Sequence, residues 1–184
     1  MERFRLSLSD AEKSYLKDLV RLSITSKLTG HGPDTPPPPP TDLLRDELGA
    51  FVTLNRQGRL RGCIGNIIGQ GPLFATVWNM ARAAAFEDPR FPPLSRAELD
   101  DLDIEISILG PVTPCPDPNA IEVGRHGLIM RRGPFQGLLL PQVPVEWGWD
   151  REQFLAQTCR KAGLPATAWR DPDTTIYWFE AEFF

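Results

Sequence analysis

Two β-prone runs joined by a short turn constrain the fold of this chain more than any other feature. Phe, Val, Thr and Ile dominate residues 49–67, and Arg56-Gln57-Gly58-Arg59 interrupts them. Gly58 can adopt the positive φ that tight hairpin turns require. Strands joined so closely must run antiparallel, because a parallel pair needs a connection of a dozen or more residues. The sequence therefore predicts a β-hairpin in this region.

Further segments have the composition of strands. Leu102–Leu109 alternates with one polar face, and HGLIMRR and QGLLLPQV flank Gly133-Pro134. The closing run TTIYWFEAEFF is rich in residues of high β-propensity. The proline-rich run PVTPCPDPN between them is predicted to be a loop.

Helices are predicted from capping residues and apolar spacing. Ser9 and Glu12 form a capping box before a helix that ends at Gly30. Shorter or later helices are expected over the following ranges: Leu43–Leu48, Leu73–Phe86 after Pro72, a turn capped by Ser95 and Glu98, and Arg151–Ala162 between Asp150 and Gly163. Because strands come as hairpins and helices are grouped, we predict an α+β fold with an antiparallel or mixed sheet flanked by helices.

Five consecutive prolines lie within the segment GHGPDTPPPPP, residues 30–40. Such a run cannot enter a helix or a central strand. We therefore expect a flexible, extended surface spacer at about residues 30–41, in preference to a ligand for aromatic grooves. The chain has 184 residues, 41% of them hydrophobic, and no internal repeat. One domain over residues 1–184 is the expected organisation.

Charge and cysteine usage narrow the function classes. The net charge is −4 without clustered Lys and Arg, so nucleic acid is not expected as a partner. The charged first twenty residues leave no apolar core for a signal peptide, and no run approaches the roughly 18 apolar residues of a membrane span. Cys63, Cys115 and Cys159 form no CxxC pair, and only His31 and His126 could assist them. We expect free thiols, no metal site and a cytoplasmic location.

Four segments of the sequence, taken in order, resemble the AMMECR domain family. They are LRGCIG (Leu60–Gly65), AAAFEDPRFPPL (Ala83–Leu94), HGLIM with GLLLPQVPVEWGWD (His126–Met130 and Gly137–Asp150), and YWFEAEFF. The similarity runs from about Phe51 to the C-terminal end, and the initial helix also fits. The sequence departs from the family pattern at Pro144, where a small residue is expected, and in the five-proline run.

The resemblance implies a two-lobed α+β domain with both chain ends in the larger lobe. Prokaryotic proteins of this kind look like components of a three-part system with a Memo-like protein and a radical-SAM protein. No defined reaction is implied, because a fold does not determine function.

The LRGCIG segment carries the candidate site. In a strand, Arg61 and Cys63 share one face with Gly65, while Leu60 and Ile64 share the core face with Gly62. Arg61 would favour the Cys63 thiolate or hold a small anionic ligand, and Gly62 and Gly65 would allow a ligand or another backbone to approach closely. The alternative is that Cys63 is a buried packing residue.

Catalysis by Cys63 would need a base. His126 is the only imidazole in the region that resembles the family. It either forms a catalytic dyad with Cys63 or is a turn residue. Glu146 is a second candidate for proton transfer. Trp147 and Trp149 either wall a ligand pocket or fill the core, and Asp150 is expected to cap the next helix.

The acidic pair Glu87-Asp88 also has two interpretations. The two carboxylates could act as acid and base or hold a metal ion. The preferred hypothesis is structural: one of them closes the helix and pairs with Arg90, while Phe91 and Leu94 pack inward.

Two functions from different classes are consistent with these residues. The favoured one is a non-catalytic binding module that docks a partner or ligand through the LRGCIG face. The alternative is an enzyme in which Cys63 is the nucleophile, Arg61 orients an anionic or carbonyl substrate, and His126 or Glu146 transfers protons. No GxGxxG, Walker, HExxH or GxSxG motif is present, so no cofactor is indicated. Redox sensing by Cys63 ranks last, because no resolving cysteine is nearby in sequence.

Overall fold

The computed structural model describes Leu8–Phe184, and its residues separate into two units. The larger unit takes in the described residues up to Leu109 together with Glu182–Phe184, and the smaller unit is Gly110–Ala181. The N-terminal end is expected in the larger lobe, but this prediction concerns the first seven residues, which lie outside the described range. Every strand pairing within the two units is antiparallel, and helices accompany both sets of strands. The predicted α+β class is confirmed.

The larger unit contains three strands and two long helices. In chain order they are α1 (Asp10–Thr29), β1 (Gly49–Arg56), β2 (Arg59–Asn66), α2 (Leu73–Phe86) and β3 (Leu102–Leu109). β1 lies between β2 and β3, so that Val52 pairs with Ile64 on one side and with Ile106 on the other.

One face of this three-stranded sheet forms the core beneath the helices. The even-numbered residues Val52, Leu54, Ile106 and Ile108 are fully buried there. Ser9 and Glu12 form the predicted capping box of α1, and Gly30 ends the helix with a φ of 66°. Residues 31–41 then form no helix or strand, and most of them are exposed, as the proline run predicts.

The predicted hairpin of β1 and β2 is confirmed. Gln57 and Gly58 have φ values of 52° and 72°, the two positive φ angles that a type I′ turn requires. The pairing register shifts between Leu54 and Asn55. This shift marks a bulge just after the pair Asn55–Leu60, the second pair from the turn.

The elements of the smaller unit are β4 (Thr113–Pro114), β5 (His126–Arg132), β6 (Phe135–Leu139), α3 (Gln142–Glu146), α4 (Arg151–Lys161) and β7 (Thr175–Phe183), whose last two residues belong to the larger unit. The strands lie in the order β6–β5–β7–β4. α4 packs against β5 and β6. Phe154, Leu155 and Cys159 from α4 join Leu128 and Met130 in one buried apolar cluster.

Two predicted elements differ in detail from the structure. The helix expected at Leu43–Leu48 is a single 3-10 turn at Asp42–Arg45. The strand QGLLLPQV stops at Leu139, and Gln142–Glu146 forms a short helix, because Pro141 and Pro144 have no N–H to donate to a strand ladder.

The segment PVTPCPDPN is not entirely loop. Thr113–Pro114 pairs with β7, where Trp178 Nε1 donates to Thr113 Oγ1 at 3.1 Å, and Pro118–Ala120 forms a 3-10 turn. Among the helices from Leu8 onward, none is long and apolar enough to cross a bilayer.

Candidate functional site

The main chain of Cys63 is held at the outer edge of β2 by two side chains from the loop after α2. Cys63 N donates to Asp88 Oδ2 at 2.9 Å, and Arg90 Nη2 donates to Cys63 O at 3.2 Å. Cys63 pairs with Thr53 of β1. Its own N–H and C=O point away from β1, as at every second position of an antiparallel pair. Asp88 and Arg90 thus occupy the place of a neighbouring strand.

Asp88 is the centre of this arrangement. The residue is 4% exposed, and its Oδ2 lies 2.7 Å from Arg90 Nη2. Hydrogen bonds from the Arg90 side chain hold the pKa of the Asp88 carboxyl well below its usual value, although burial acts in the opposite direction. Glu87, by contrast, is exposed and pairs with Lys27. The predicted pairing of one of these carboxylates with Arg90 is confirmed, and the partner is Asp88, while Glu87 lies at the C-cap of α2.

The two glycines of the LRGCIG segment accommodate atoms of the chain itself. A Cβ on Gly62 would overlap the main-chain oxygen of Ala84 in α2 and lie 3.0 Å from the Ala84 carbonyl carbon. A Cβ on Gly65 would overlap the ring of Phe51. Gly62 therefore allows the close backbone approach that was expected, and the backbone is that of α2.

Arg61 already has an anionic partner. Its Nε lies 2.7 Å from Glu98 Oε1, and its Nη2 donates to Pro92 O at 3.0 Å. The hydrogen bond from Arg61 is the main cause that lowers the pKa of the Glu98 carboxyl to about 2. An anionic ligand at Arg61 would have to share the guanidinium with Glu98, so the ligand-binding role of Arg61 stays a prediction.

The side chain of Cys63 lies on the sheet face opposite α2. Thr53 Oγ1 donates to Cys63 Sγ at 3.2 Å, and Thr53 is also directly paired with Glu105 of β3. Cys63, Thr53 and Glu105 therefore form one row across three strands, and all three are half-buried. We call this row the Cys63 face.

Leu60 does not face the core as expected. Its side chain is 42% exposed, while Gly62 is the buried residue of β2. The register shift between Leu54 and Asn55 separates Leu60, close to the turn, from the regular alternation of the strand.

His126 is a packed residue of the smaller unit. Its buried ring accepts a hydrogen bond at Nδ1 from Glu122 N at 3.0 Å and stacks on Trp178 with 4.5 Å between ring centroids. Burial is the largest cause that lowers the pKa of His126, and Arg125 adds to it. Because Nδ1 accepts from a main-chain N–H group, the donor position of the ring is Nε2. Cys63 and His126 belong to different units, and their pairing as a dyad stays a prediction.

The VEWGWD segment divides between core and surface. Trp149 packs against the apolar cluster of the smaller unit, whereas Trp147 is 70% exposed and stacks on Trp149 with centroids 6.0 Å apart. Glu146 is exposed. Asp150 caps α4 as predicted, since its side chain accepts from Gln153 N. The roles of Glu146 in catalysis and of Trp147 in ligand binding stay predictions.

Two members of the Cys63 face, Thr53 and Glu105, were not identified from the sequence. The alternation of LDIEISIL placed Glu105 on a polar face, but only the register of β1 with β2 and β3 brings it beside Thr53 and Cys63. Among residues 8–184, no group of three or more His, Cys, Asp or Glu side chains is placed to hold a metal ion.

Comparison with known proteins finds relatives along almost the whole chain. The family model AMMECR1 matches residues 17–184. A protein of Thermococcus gammatolerans is 47% identical over 187 residues, covering 96% of this chain and 91% of the relative. A protein of Thermococcus kodakarensis is 52% identical over 161 residues, covering 82% and 78% respectively. The crystal structure of an uncharacterised protein from Pyrococcus horikoshii matches with a TM-score of 0.87 and 43% identity, covering 96% of this chain and 92% of that one.

Proposed function

Because the chain belongs to the AMMECR1 family, we propose that it is a binding or accessory component that acts with a Memo-like and a radical-SAM protein. The Cys63 face is its docking surface. The observation that carries this proposal is the anchoring of β2: Asp88 and Arg90 hold the main chain of Cys63, while its side chain stays half exposed. A surface fixed in advance loses less conformational entropy when a partner binds.

The contacts of Cys63 favour binding over catalysis. The hydrogen-bond partner of its sulfur is the Thr53 hydroxyl, which is too weak a base to remove a thiol proton. Arg61 and Arg90 are both engaged by carboxylates. The face therefore offers a polar, half-buried surface with a thiol at one end of the row, and within residues 8–184 the hydrogen-bond partner of that thiol is not a base.

Docking can be tested by filling the Cys63 face. Thr53→Arg places a long cation in the middle of the row, and Ser14→Arg makes the same chemical change at an exposed position on α1. We expect Thr53→Arg to raise the Kd for the purified Memo-like or radical-SAM protein at least about tenfold, and Ser14→Arg to change it less than about twofold. Isothermal titration calorimetry measures both constants, and circular dichroism checks that both variants fold. Unchanged affinity in Thr53→Arg, or no binding by the wild type, would refute the proposal.

The second candidate function is an enzyme with Cys63 as the nucleophile. The hydrogen bond that Thr53 donates to Cys63 Sγ supports it, because a donor at sulfur stabilises the thiolate. In this alternative Arg61 orients an anionic or carbonyl substrate, and His126 or Glu146 transfers protons.

The enzyme alternative predicts a specific change in thiol reactivity. Thr53→Val keeps the shape of the side chain and removes the hydrogen-bond donor. Loss of this hydrogen bond removes about 1 kcal/mol of stabilisation from the thiolate form. Alkylation of Cys63 should therefore slow about fivefold at neutral pH. Mass spectrometry resolves each cysteine in the native protein. Cys159, which is fully buried and has a pKa raised by burial, is the internal reference that reacts only after unfolding. An equal rate in Thr53→Val and wild type would remove the support for the enzyme and leave the docking surface.

A further inference from the structure

The outer strands of the two units differ in how their edges are protected. The outer edge of β2 is occupied by Asp88 and Arg90, as described above. β6 is the last strand of the smaller unit's sheet, and its sequence FQGLL contains neither a charge nor a proline. Charges, prolines and covering side chains are the usual means by which proteins prevent an edge strand from pairing with another chain. β6 has neither a charge nor a proline within its length.

The main-chain groups on the free side of β6 belong to Gln136 and Leu138. Gly133-Pro134 forms a two-residue turn that closes on the pair Arg132 and Phe135. In such a hairpin the closing pair exchanges both hydrogen bonds, so Gln136 and Leu138 direct their N–H and C=O away from β5. Within the described part of the chain, these outward groups form no hydrogen bond.

β6 is also held rigidly by its own helix. A Cβ on Gly137 would lie 2.6 Å from the Cα of Ala162, just beyond the end of α4, so strand and helix are in close backbone contact. Leu139, on the same side of the strand as Gly137, packs against the apolar cluster. A free and rigid edge is preorganised for pairing with an extended strand, because the edge loses little backbone entropy when it pairs.

We infer that β6 pairs antiparallel with β6 of a second copy of this chain and so forms a homodimer. A two-fold axis at Gly137 sets Gln136 opposite Leu138 of the second copy, which uses both of the outward residues of each strand. The same register sets Phe135, which is 50% exposed, opposite the apolar Leu139. β6 itself carries no charge, so no like-charged residues of the two strands lie opposite each other.

Self-association through so short a strand is expected to be weak. A five-residue edge buries less area than a standard stable interface, so a Kd of about micromolar or weaker is expected. Sedimentation velocity of the full chain from about 1 μM to about 1 mM covers this range. The wild type should pass from monomer to dimer within it.

Gln136 provides a matched pair of variants. Gln136→Pro removes the outward N–H without removing a bond to β5, whereas Gln136→Thr keeps that N–H in a residue of good β-propensity. We expect the dimer Kd to rise at least about tenfold in Gln136→Pro and to change less than about threefold in Gln136→Thr. A wild type that stays monomeric throughout, or a Gln136→Pro variant that dimerises as the wild type does, would overturn the inference.

Hydrogen exchange of the wild type tests the same interface without any substitution. Exchange at the amides of Gln136 and Leu138 should slow as protein concentration rises. The Cys63 amide, which already donates to Asp88, should exchange at a rate independent of concentration. A dimer in which Gln136 and Leu138 exchange equally fast at all concentrations uses another surface, and that result would also overturn the inference.

Discussion

Gly62→Ala is expected to destabilise the protein by about 3 kcal/mol or more. The added Cβ would overlap the main-chain oxygen of Ala84 and lie 3.0 Å from its carbonyl carbon. These are backbone atoms in the body of α2, so no side-chain rotation can relieve the overlap. α2 would have to move away from β2 and open the core that buries Val77 and Trp78. Urea unfolding at neutral pH measures the free-energy change directly.

Gly58→Ala is a control substitution that introduces backbone strain without steric overlap. Gly58 has a φ of 72°, and a Cβ there would have no neighbour within 4 Å. Alanine should cost only about 1–2 kcal/mol at this position, because a left-handed conformation is its sole penalty. If Gly62→Ala unfolds at the same urea concentration as Gly58→Ala or the wild type, then α2 and β2 are not packed backbone to backbone. The LRGCIG glycine would then need a different explanation.

The elements that were predicted correctly have local signals in the sequence. The turn of the first hairpin follows from Gly58, and the bounds of β3 follow from the alternation of LDIEISIL. The ends of α1 follow from Ser9, Glu12 and Gly30. Each of these signals acts over a few residues, so one sequence is sufficient to identify it.

The elements that were missed depend on tertiary context or on competing local preferences. Leu60 belongs to a strand whose alternation predicts burial, but a bulge in its pairing with β1 leaves it exposed. The apolar run before Pro141 continues into residues that pack as the short helix Gln142–Glu146. Apolar composition alone does not distinguish these outcomes.

The candidate site shows the same division. Strand alternation correctly placed Cys63 on the face opposite Gly62, a property of one strand alone. Its neighbours Thr53 and Glu105 depend on the order and register of three strands. The contact of Asp88 with the Cys63 main chain joins residues 25 positions apart. Such non-local contacts cannot be deduced from the spacing of residues in a single sequence.

Asp88→Ala is the second substitution with a large expected effect, a loss of about 3 kcal/mol at pH 7. The carboxylate is buried and accepts from the main-chain N–H groups of Cys63 and Arg90 as well as from the Arg90 side chain. The Arg90 side chain is half exposed and regains water, so most of the cost comes from the two main-chain donors. Glu87→Ala, next to it but exposed, should change the unfolding free energy by less than about 0.5 kcal/mol.

Asp88→Asn tests the charge of this anchor through its pH dependence. The pKa of Asp88 in the folded protein lies below its ordinary value of 3.8, so the unfolded chain binds the proton first as pH falls. The ionised carboxylate therefore contributes its full stability above about pH 5, and that contribution declines as pH falls below 3.8 toward the folded-state pKa. The difference in unfolding free energy between wild type and Asp88→Asn should be constant from pH 7 to about pH 5 and then shrink. Glu98, whose pKa is lowered to about 2, titrates in both proteins and cancels in the difference. If the difference stays constant down to pH 3, the negative charge of Asp88 contributes nothing to the stability of this anchor, and its pH dependence would have to come from other groups.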